Sequence, residues 1–334
     1  MSSHVEHVSL TGQRKRSERL VGTSRAMQVV AEQIALAGRG RFPVWVHAED
    51  GIDKELIARL VHDASEWASG AFFALDAASI PRTLISRELV GAEAGAVSGL
   101  PGSYDGAFAR TRAGTLLVEN LEHLPKDLQQ ILAAALERGR YRKLGGSVEI
   151  PLESRIVASS RFSLDSVIAD GRLVPELATP LRVLAIEVPP LRERREDVVP
   201  IAAQALALAR REVEDETGER CAVRGFAPET LERLAGYPWF GNERELRERI
   251  RAAVRLAKAD EIEPGDLSLG SDSAESVPSF RDAKRACERE YVMRVLRLCD
   301  GNISRAARLA KKDRKDFYDV MRRNRIDPSE FRGS

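Results

Sequence analysis

Apolar and polar residues are spaced along this chain in three different rhythms. In the first half, short apolar runs stand alone: VWVHA from Val44, LLVEN from Leu116 and RIVASS from Arg155. Each is too short for a buried helix and lacks the every-second-residue alternation of a half-exposed strand. The pattern therefore predicts strands covered on both faces, as in a parallel sheet. Between Val198 and Ala257 the apolar positions recur with helical spacing throughout. A third stretch, SLGSDSAESVPS at 268–279, has no apolar period and reads as a flexible linker.

Beyond the linker the helical period returns over 280–298, where Tyr291, Val292, Val295 and Leu296 can share one face, and Asp300-Gly301-Asn302 ends it. Asn302 suits the N-cap of a short helix, ISRAARLA, whose Ala306 and Ala307 permit close packing against a neighbour. That neighbour is DRKDFYDVMRRNRI. Asp313 caps it, Phe317, Val320 and Met321 face inward, and Arg314, Lys315, Tyr318, Arg322 and Arg323 are left outward or flanking. Two short helices and a tight turn predict a helix-turn-helix, whose second helix enters the major groove of DNA.

Charge sharpens this expectation. The formal net charge is +1, yet residues 281–334 carry 16 Lys/Arg against 9 Asp/Glu, and the remainder carries 36 against 42. A basic tail beyond a linker is the electrostatic footprint of a nucleic-acid-binding module. Arg305, Lys311 and Lys312 lie near the turn or helix ends, within reach of phosphates, while Arg314 and Lys315 open the recognition helix towards base edges. Asn302, Ser304, Tyr318, Arg322 and Arg323 complete the candidate DNA-binding set. A dimer through the C-terminal helices, bound to an inverted repeat in double-stranded DNA, is the expected form.

Composition excludes other classes. With 334 residues, 43% hydrophobic, the chain can bury a large core and divides into about two to three domains. No run approaches the ~18 apolar residues of a membrane span, and the polar start lacks a secretory core, so a cytoplasmic, nucleoid-associated protein with no membrane partner is expected. Cys221, Cys287 and Cys299 have no C-x-x-C spacing and the five histidines are scattered, so no metal site is predicted.

The candidate chemistry lies in HAEDGIDKE, 47–55, after the first apolar run. It has the outline of the phosphate-binding loop G-x-x-x-x-G-K-[ST], in which backbone N–H groups wrap phosphates and the lysine reaches between them. Lys54 is in place, but Ala48 and Asp53 occupy the two glycine positions, and Asp53 brings a carboxylate to where anionic phosphate should lie.

The segment GNISRAARLAKKDRKDFYDVMRR resembles the Fis-type helix-turn-helix that closes bacterial enhancer-binding proteins. The likeness extends backwards through LVGTSRAM (20–27), ELVGAEAGAVSGL (88–100), AGTLLVENLEHLP (113–125), LERGRYRKLGGSVEIPLESRIVASS (136–160), VPPLRERREDV (188–198) and YPWFGNERELR (237–247). Taken in order, these blocks resemble the sigma-54-interacting AAA+ domain of NtrC-like activators. The resemblance implies a flexible N-terminus at 1–19, an α/β AAA+ core (parallel sheet with flanking helices) at 20–187, an α-helical lid at 188–267, the linker at 268–279, and a C-terminal all-α helix-turn-helix domain at 280–334. No receiver domain is expected ahead of the core.

The resemblance also assigns roles. Lys54 and Glu55 match the GKE ending of the loop, Gly51 and Glu49 keep their places, and Arg244 matches the lid arginine that senses the terminal phosphate. The departures fall on the chemistry. Glu119-Asn120 replaces the Asp-Glu pair that holds magnesium and positions water; Arg161 replaces the sensor Asn; Val174 and Pro180 stand at the arginine-finger positions. The tip Gly95-Ala96-Val97-Ser98-Gly99-Leu100 replaces the GAFTGA that presses on sigma-54.

These changes lead to the expectation of a DNA-binding transcription regulator on a degenerate activator scaffold, one that is not an enzyme because hydrolysis is lost. It would require no cofactor, with weak ATP or ADP binding at the remnant loop. RNA polymerase or an intact paralogue is a further expected partner. The alternatives are a working ATP-dependent sigma-54 activator and a regulatory partner that joins an intact paralogue.

Overall fold

The computed structural model describes residues 22–97, 102–257, 259–269, 291–293, 295–296, 299, 302–310, 312–323 and 326. The expected N-terminal tail, most of the linker, the start of the C-terminal domain, Ser98, Gly99, Leu100 and Lys311 lie outside the described residues. The chain divides into two compact units after Ser268.

The first unit is built on a five-stranded parallel sheet. Its strands are β1 (Val44–His47), β2 (Phe72–Asp76), β3 (Thr115–Glu119), β6 (Arg155–Ser160) and β7 (Ala185–Glu187), in the order β2-β3-β6-β1-β7. The three apolar runs are β1, β3 and β6, the central strands, paired in parallel with register Val44↔Val157 and Leu117↔Val157. A short antiparallel pair, β4 (Arg140–Tyr141) and β5 (Ile150–Pro151), stands apart.

Strand side chains alternate between faces, and both faces are covered, which is why the runs read as unbroken apolar segments. Val44, Val46, Leu117, Val157 and Ile186 pack on one side with Met27 and Val30 of α1 (Arg25–Gly38) and with Ile57 and Val61 of α2 (Lys54–Asp63). Trp45, Leu116, Val118, Ile156 and Ala158 pack on the other. There they meet Ile85 and Leu89 of α3 (Arg82–Val90), Leu128 and Leu132 of α5 (Lys126–Arg138), and Leu177 and Leu181 of α7 (Pro175–Leu181). The one-turn helix α4 (Ala107–Arg110) and α6 (Leu164–Ala169) complete this half.

The lid belongs to the same unit. It comprises α8 (Val198–Thr217), α9 (Pro228–Gly236) and α10 (Asn242–Leu256), with the parallel pair β8 (Gly225–Phe226) and β9 (Glu261–Ile262). Asp197, fully buried at the start of α8, accepts hydrogen bonds from the Thr23 and Ser24 N–H groups at 2.7 and 2.9 Å and from the Ser24 hydroxyl at 2.6 Å. The lid is thereby tied to the first turn of α1.

In the second unit, α11 (Ile303–Leu309) and α12 (Arg314–Arg323) pack around Ala306, Ala307, Phe317 and Met321, with Val292, Val295, Leu296 and Cys299 in the same cluster. Asn302 caps α11 by accepting from the Arg305 N–H at 3.1 Å. Cys221 and Cys299 are buried thiols. Among the described residues no helix is long and apolar enough to cross a membrane.

Candidate functional site

Parallel strands deliver all their C-terminal ends to one edge of the sheet, where open α/β sheets bind ligands. A cavity of about 500 Å³ opens at this edge, lined by Gly51, Lys54, Glu119, Asn120, Arg244 and Arg247 among others. Lys54 is the first residue of α2, whose N-terminal N–H groups favour an anion.

The glycine of the loop is required by close approach. Gly51 has φ +88°, and a Cβ there would lie 2.0 Å from the Gly241 carbonyl oxygen. The Arg244 N–H donates to the Gly51 carbonyl at 3.0 Å, so the loop and the start of α10 touch backbone to backbone. Asp53 turns onto α2 as its N-cap, accepting from the Leu56 N–H at 2.9 Å. The Asp53 carboxylate thus occupies the helix end that a phosphate would use.

Around the loop the polar side chains are committed. Arg192 donates to both oxygens of Glu49, Asn242 donates to Glu49 and to the Asp50 carbonyl at 3.2 and 3.0 Å, and the Asn242 amide oxygen accepts from the Leu191 N–H. The hydrogen bond from Arg192 is the main reason the Glu49 carboxyl is held below its ordinary range. Glu55 pairs with Arg59 at 2.8 Å. On α10, Arg247 pairs with Glu243, Arg249 with Glu245, Arg251 with Glu212 and Arg255 with Glu216. Among the described residues no ion pair joins Arg244 to a carboxylate, and it lines the cavity together with Asp50, Asp53, Glu119 and Glu248.

Glu119 ends β3 beside Lys54, and burial, reinforced by Glu55, Asp76 and Asp53 against the attraction of Lys54, pushes its carboxyl up to about 7. Asn120 follows in the left-handed conformation (φ 52°, ψ 48°), which asparagine tolerates better than most residues. Its side-chain amide donates to Asp76, at the end of β2, at 2.7 Å. Arg161 pairs with Asp50 at 3.0 Å. Val174 is buried, its N–H donating to Gln129, and Pro180 lies inside α7. Arg182 is paired with Asp165 at 2.5 Å. Gly95 (φ +77°), exposed Ala96 and half-buried Val97 are the described part of the 95–100 segment expected to replace GAFTGA. No group of three or more His, Cys, Asp or Glu placed to hold a metal occurs among the described residues.

On the second unit, Asn302, Arg305, Lys312, Arg314, Lys315, Tyr318, Arg322 and Arg323 are exposed and Ser304 is half-buried.

Comparison with known proteins explains this geometry. Residues 20–187 match the Sigma-54 interaction domain family, and 192–279 match the AAA+ ATPase lid domain. The chain belongs to the sigma-54 interaction domain family. The transcriptional regulatory protein GlrR of Escherichia coli K12 is 28% identical over 94% of this chain and 70% of its own length. The transcriptional regulatory protein ZraR of the same strain is 31% identical over 91% of this chain and 68% of its own length. The crystal structure of NtrX from Brucella abortus in complex with ATP has a TM-score of 0.66 and 26% identity, over 94% of this chain and 71% of that one.

These likenesses overturn the expectation that the chain is not an enzyme. It falls in a family matched by an AAA+ ATPase lid, and a relative of the same architecture has been crystallised with ATP. The expectation rested on the departures at Asp53, Glu119-Asn120, Arg161, Val174, Pro180 and the 95–100 tip taken together. Phosphoryl transfer passes through a loose transition state in which positioning and charge neutralisation carry the rate, and other P-loop enzymes orient the attacking water with an amide. Replacing a carboxylate by Asn120 is thus no proof of lost turnover. Arg192, Asn242 and Asp76 were not singled out in the sequence. The first two lie within quoted family blocks, but nothing in their spacing signals the contacts they make.

Proposed function

We propose that this chain is an ATP-dependent transcription regulator of the sigma-54 activator class. The observation that carries this reading is that Lys54, at the N-terminus of α2, and Arg244, on α10, line one cavity. Two cations converge on space suited to a polyphosphate, opposed at the helix end by the Asp53 carboxylate. Glu119 is the residue that would hold the magnesium ion accompanying nucleotide phosphates; such an ion keeps most of its waters and needs only one or two protein carboxylates. When bound, magnesium neutralises charge on the phosphoryl oxygens. The relative that binds ATP supports the same reading.

The output side of the proposal is DNA binding by α11 and α12 and contact with sigma-54 polymerase through the loop around Gly95 and Ala96. The exposed cations on α12 support the first, and the family match supports the second. Steady-state phosphate release tests the core of the proposal. Wild type is expected to exceed a Lys54→Ala control at least several-fold, and equal rates would refute it.

A further inference from the structure

Resting on that reading of ATP hydrolysis, we infer that Arg247 supplies, from the chain's own lid, the positive charge that neutralises the transferred phosphoryl group. Val174 is buried and Pro180 lies inside α7, so neither offers a cation to a neighbouring chain. Phosphoryl transfer spreads charge over the phosphoryl oxygens, and an arginine that meets it, in cis or in trans, carries much of the rate. In this chain α10 holds the candidates. Arg244, Arg247, Glu248 and Arg251 all line the cavity, at the i, i+3, i+4 and i+7 spacing of one helical stripe. Lys54 and Asn120 line the same space.

The arginines of the stripe differ in what holds them. Arg251 donates to both oxygens of Glu212 on α8, at 2.8 and 3.0 Å, and among the described residues Glu212 has no second ion pair. Drawing Arg251 to a phosphate would strip that carboxylate. Arg247 donates to one oxygen of Glu243 at 2.7 Å, while the other oxygen accepts from the fully buried Arg194 guanidinium at 2.8 Å. Arg194 is itself fixed by a hydrogen bond to the Pro189 carbonyl at 3.0 Å. Glu243 thus stays paired when Arg247 leaves.

The exchange favours phosphate. The contact given up is an i,i+4 pair on a side chain one-third exposed, hence weak in water. A guanidinium meets two phosphoryl oxygens at once, through parallel N–H groups. Glu248 is exposed to solvent, which screens its opposition to phosphate. In the hydrolytic step the oxygen of water bonds to the γ-phosphorus as the bond from phosphorus to the bridging oxygen breaks. ADP leaves with that electron pair. One proton of the water passes to a γ-phosphoryl oxygen and the other stays on the new hydroxyl, giving dihydrogen phosphate. Arg247 exchanges no proton; its N–H groups hold the γ-phosphoryl oxygens throughout.

The test measures steady-state phosphate release, melting temperature and calorimetric affinity for a non-hydrolysable ATP analogue in full chains carrying Arg247→Ala, Arg247→Lys or Arg255→Ala. Arg247→Ala is expected to lower kcat on the order of 10³-fold, the smaller end of the loss for such an arginine. Analogue affinity should change by less than about tenfold, and the melting temperature by no more than about a degree or two. Arg247→Lys keeps the charge without the fork and should recover part of the rate. Arg255→Ala breaks a comparable pair with Glu216 on the same helix, outside the cavity lining, and should match wild type. Because the charge comes from the same chain, mixing Arg247→Ala with Lys54→Ala chains should give no more than the sum of their separate rates. Recovery on mixing, an Arg247→Ala rate equal to wild type, or a loss of kcat that tracks a fall in melting temperature would each overturn the assignment. If wild type is no faster than Lys54→Ala, the hydrolysis reading falls and this inference with it.

Discussion

Arg192 grips Glu49 with two hydrogen bonds, of 2.6 and 2.7 Å, joining the 3-10 turn before the lid to the loop ahead of Lys54. Both side chains are about one-third exposed, so the pair contributes little to global stability, within the ~0–1 kcal/mol of surface ion pairs. Its bidentate geometry matters more for placing the loop against the lid. Glu49→Gln is therefore expected to shift the melting temperature by no more than a degree or two and to weaken ATP-analogue binding several-fold. A large fall in melting temperature with unchanged affinity would contradict this.

Gly51→Ala should behave in the opposite way. The left-handed backbone alone costs a side chain on the order of 1–3 kcal/mol, and the new Cβ would overlap the Gly241 oxygen at 2.0 Å. Loss of stability should accompany loss of binding, measured by denaturant unfolding.

Asp53 makes a separable prediction. As the N-cap of α2 it stabilises the helix, but its charge sits where phosphate would approach. Asp53→Ser keeps an acceptor for the Leu56 N–H and removes the charge, so stability should hold. ATP should bind roughly tenfold tighter, about 1.4 kcal/mol. Unchanged affinity in calorimetry would show that the carboxylate does not oppose phosphate.

Much of the fold was legible because its cause is local. The central strands β1, β3 and β6 are buried on both faces, so their apolar runs stand out; β2, with the sequence FFALD, is half-buried at the edge of the sheet and gave no such signal. The site was legible only in part. Lys54 and Arg244 carry motif signals, but the partner of Glu49 lies 143 residues away and the partner of Asn120 lies 44 away, contacts that only folding brings about. Expecting no enzyme followed from reading the substituted positions alone, whereas the family match covers the whole core and lid.

His62 gives a pH prediction. Burial, the largest cause, lowers its pKa below the ordinary 6.5, and its ring nitrogen Nδ1 lies 2.9 Å from the Thr115 hydroxyl in the core. Above the unfolded value both states are neutral and stability is complete. As pH falls from 6.5 through the depressed folded value, the unfolded chain takes the proton first and stability declines. Urea unfolding at about pH 7.5 and about pH 5.5 should show wild type losing stability, and His62→Gln losing less over the same interval.

The DNA proposal makes the last prediction. Phe317 and Met321 hold α12 against the cluster, leaving Arg314 and Lys315 exposed on its first turn, the part of a recognition helix that meets base edges. Arg305 and Lys312, exposed at the start of α11 and in the turn, are placed for phosphates instead. Substituting alanine for either of these should weaken all sequences alike and flatten the salt dependence by roughly one unit per contact. Arg314→Ala should cost ~1–3 kcal/mol at a single base pair. Asp316 and Asp319, exposed on the same helix, oppose phosphate and reduce non-specific attraction. Selection of sites from random duplexes by the full chain, followed by titration of each variant at two salt concentrations, separates the two classes. If Arg314→Ala and Lys315→Ala lower affinity equally for selected and random DNA, α12 does not read sequence, and the chain reaches promoters through another protein.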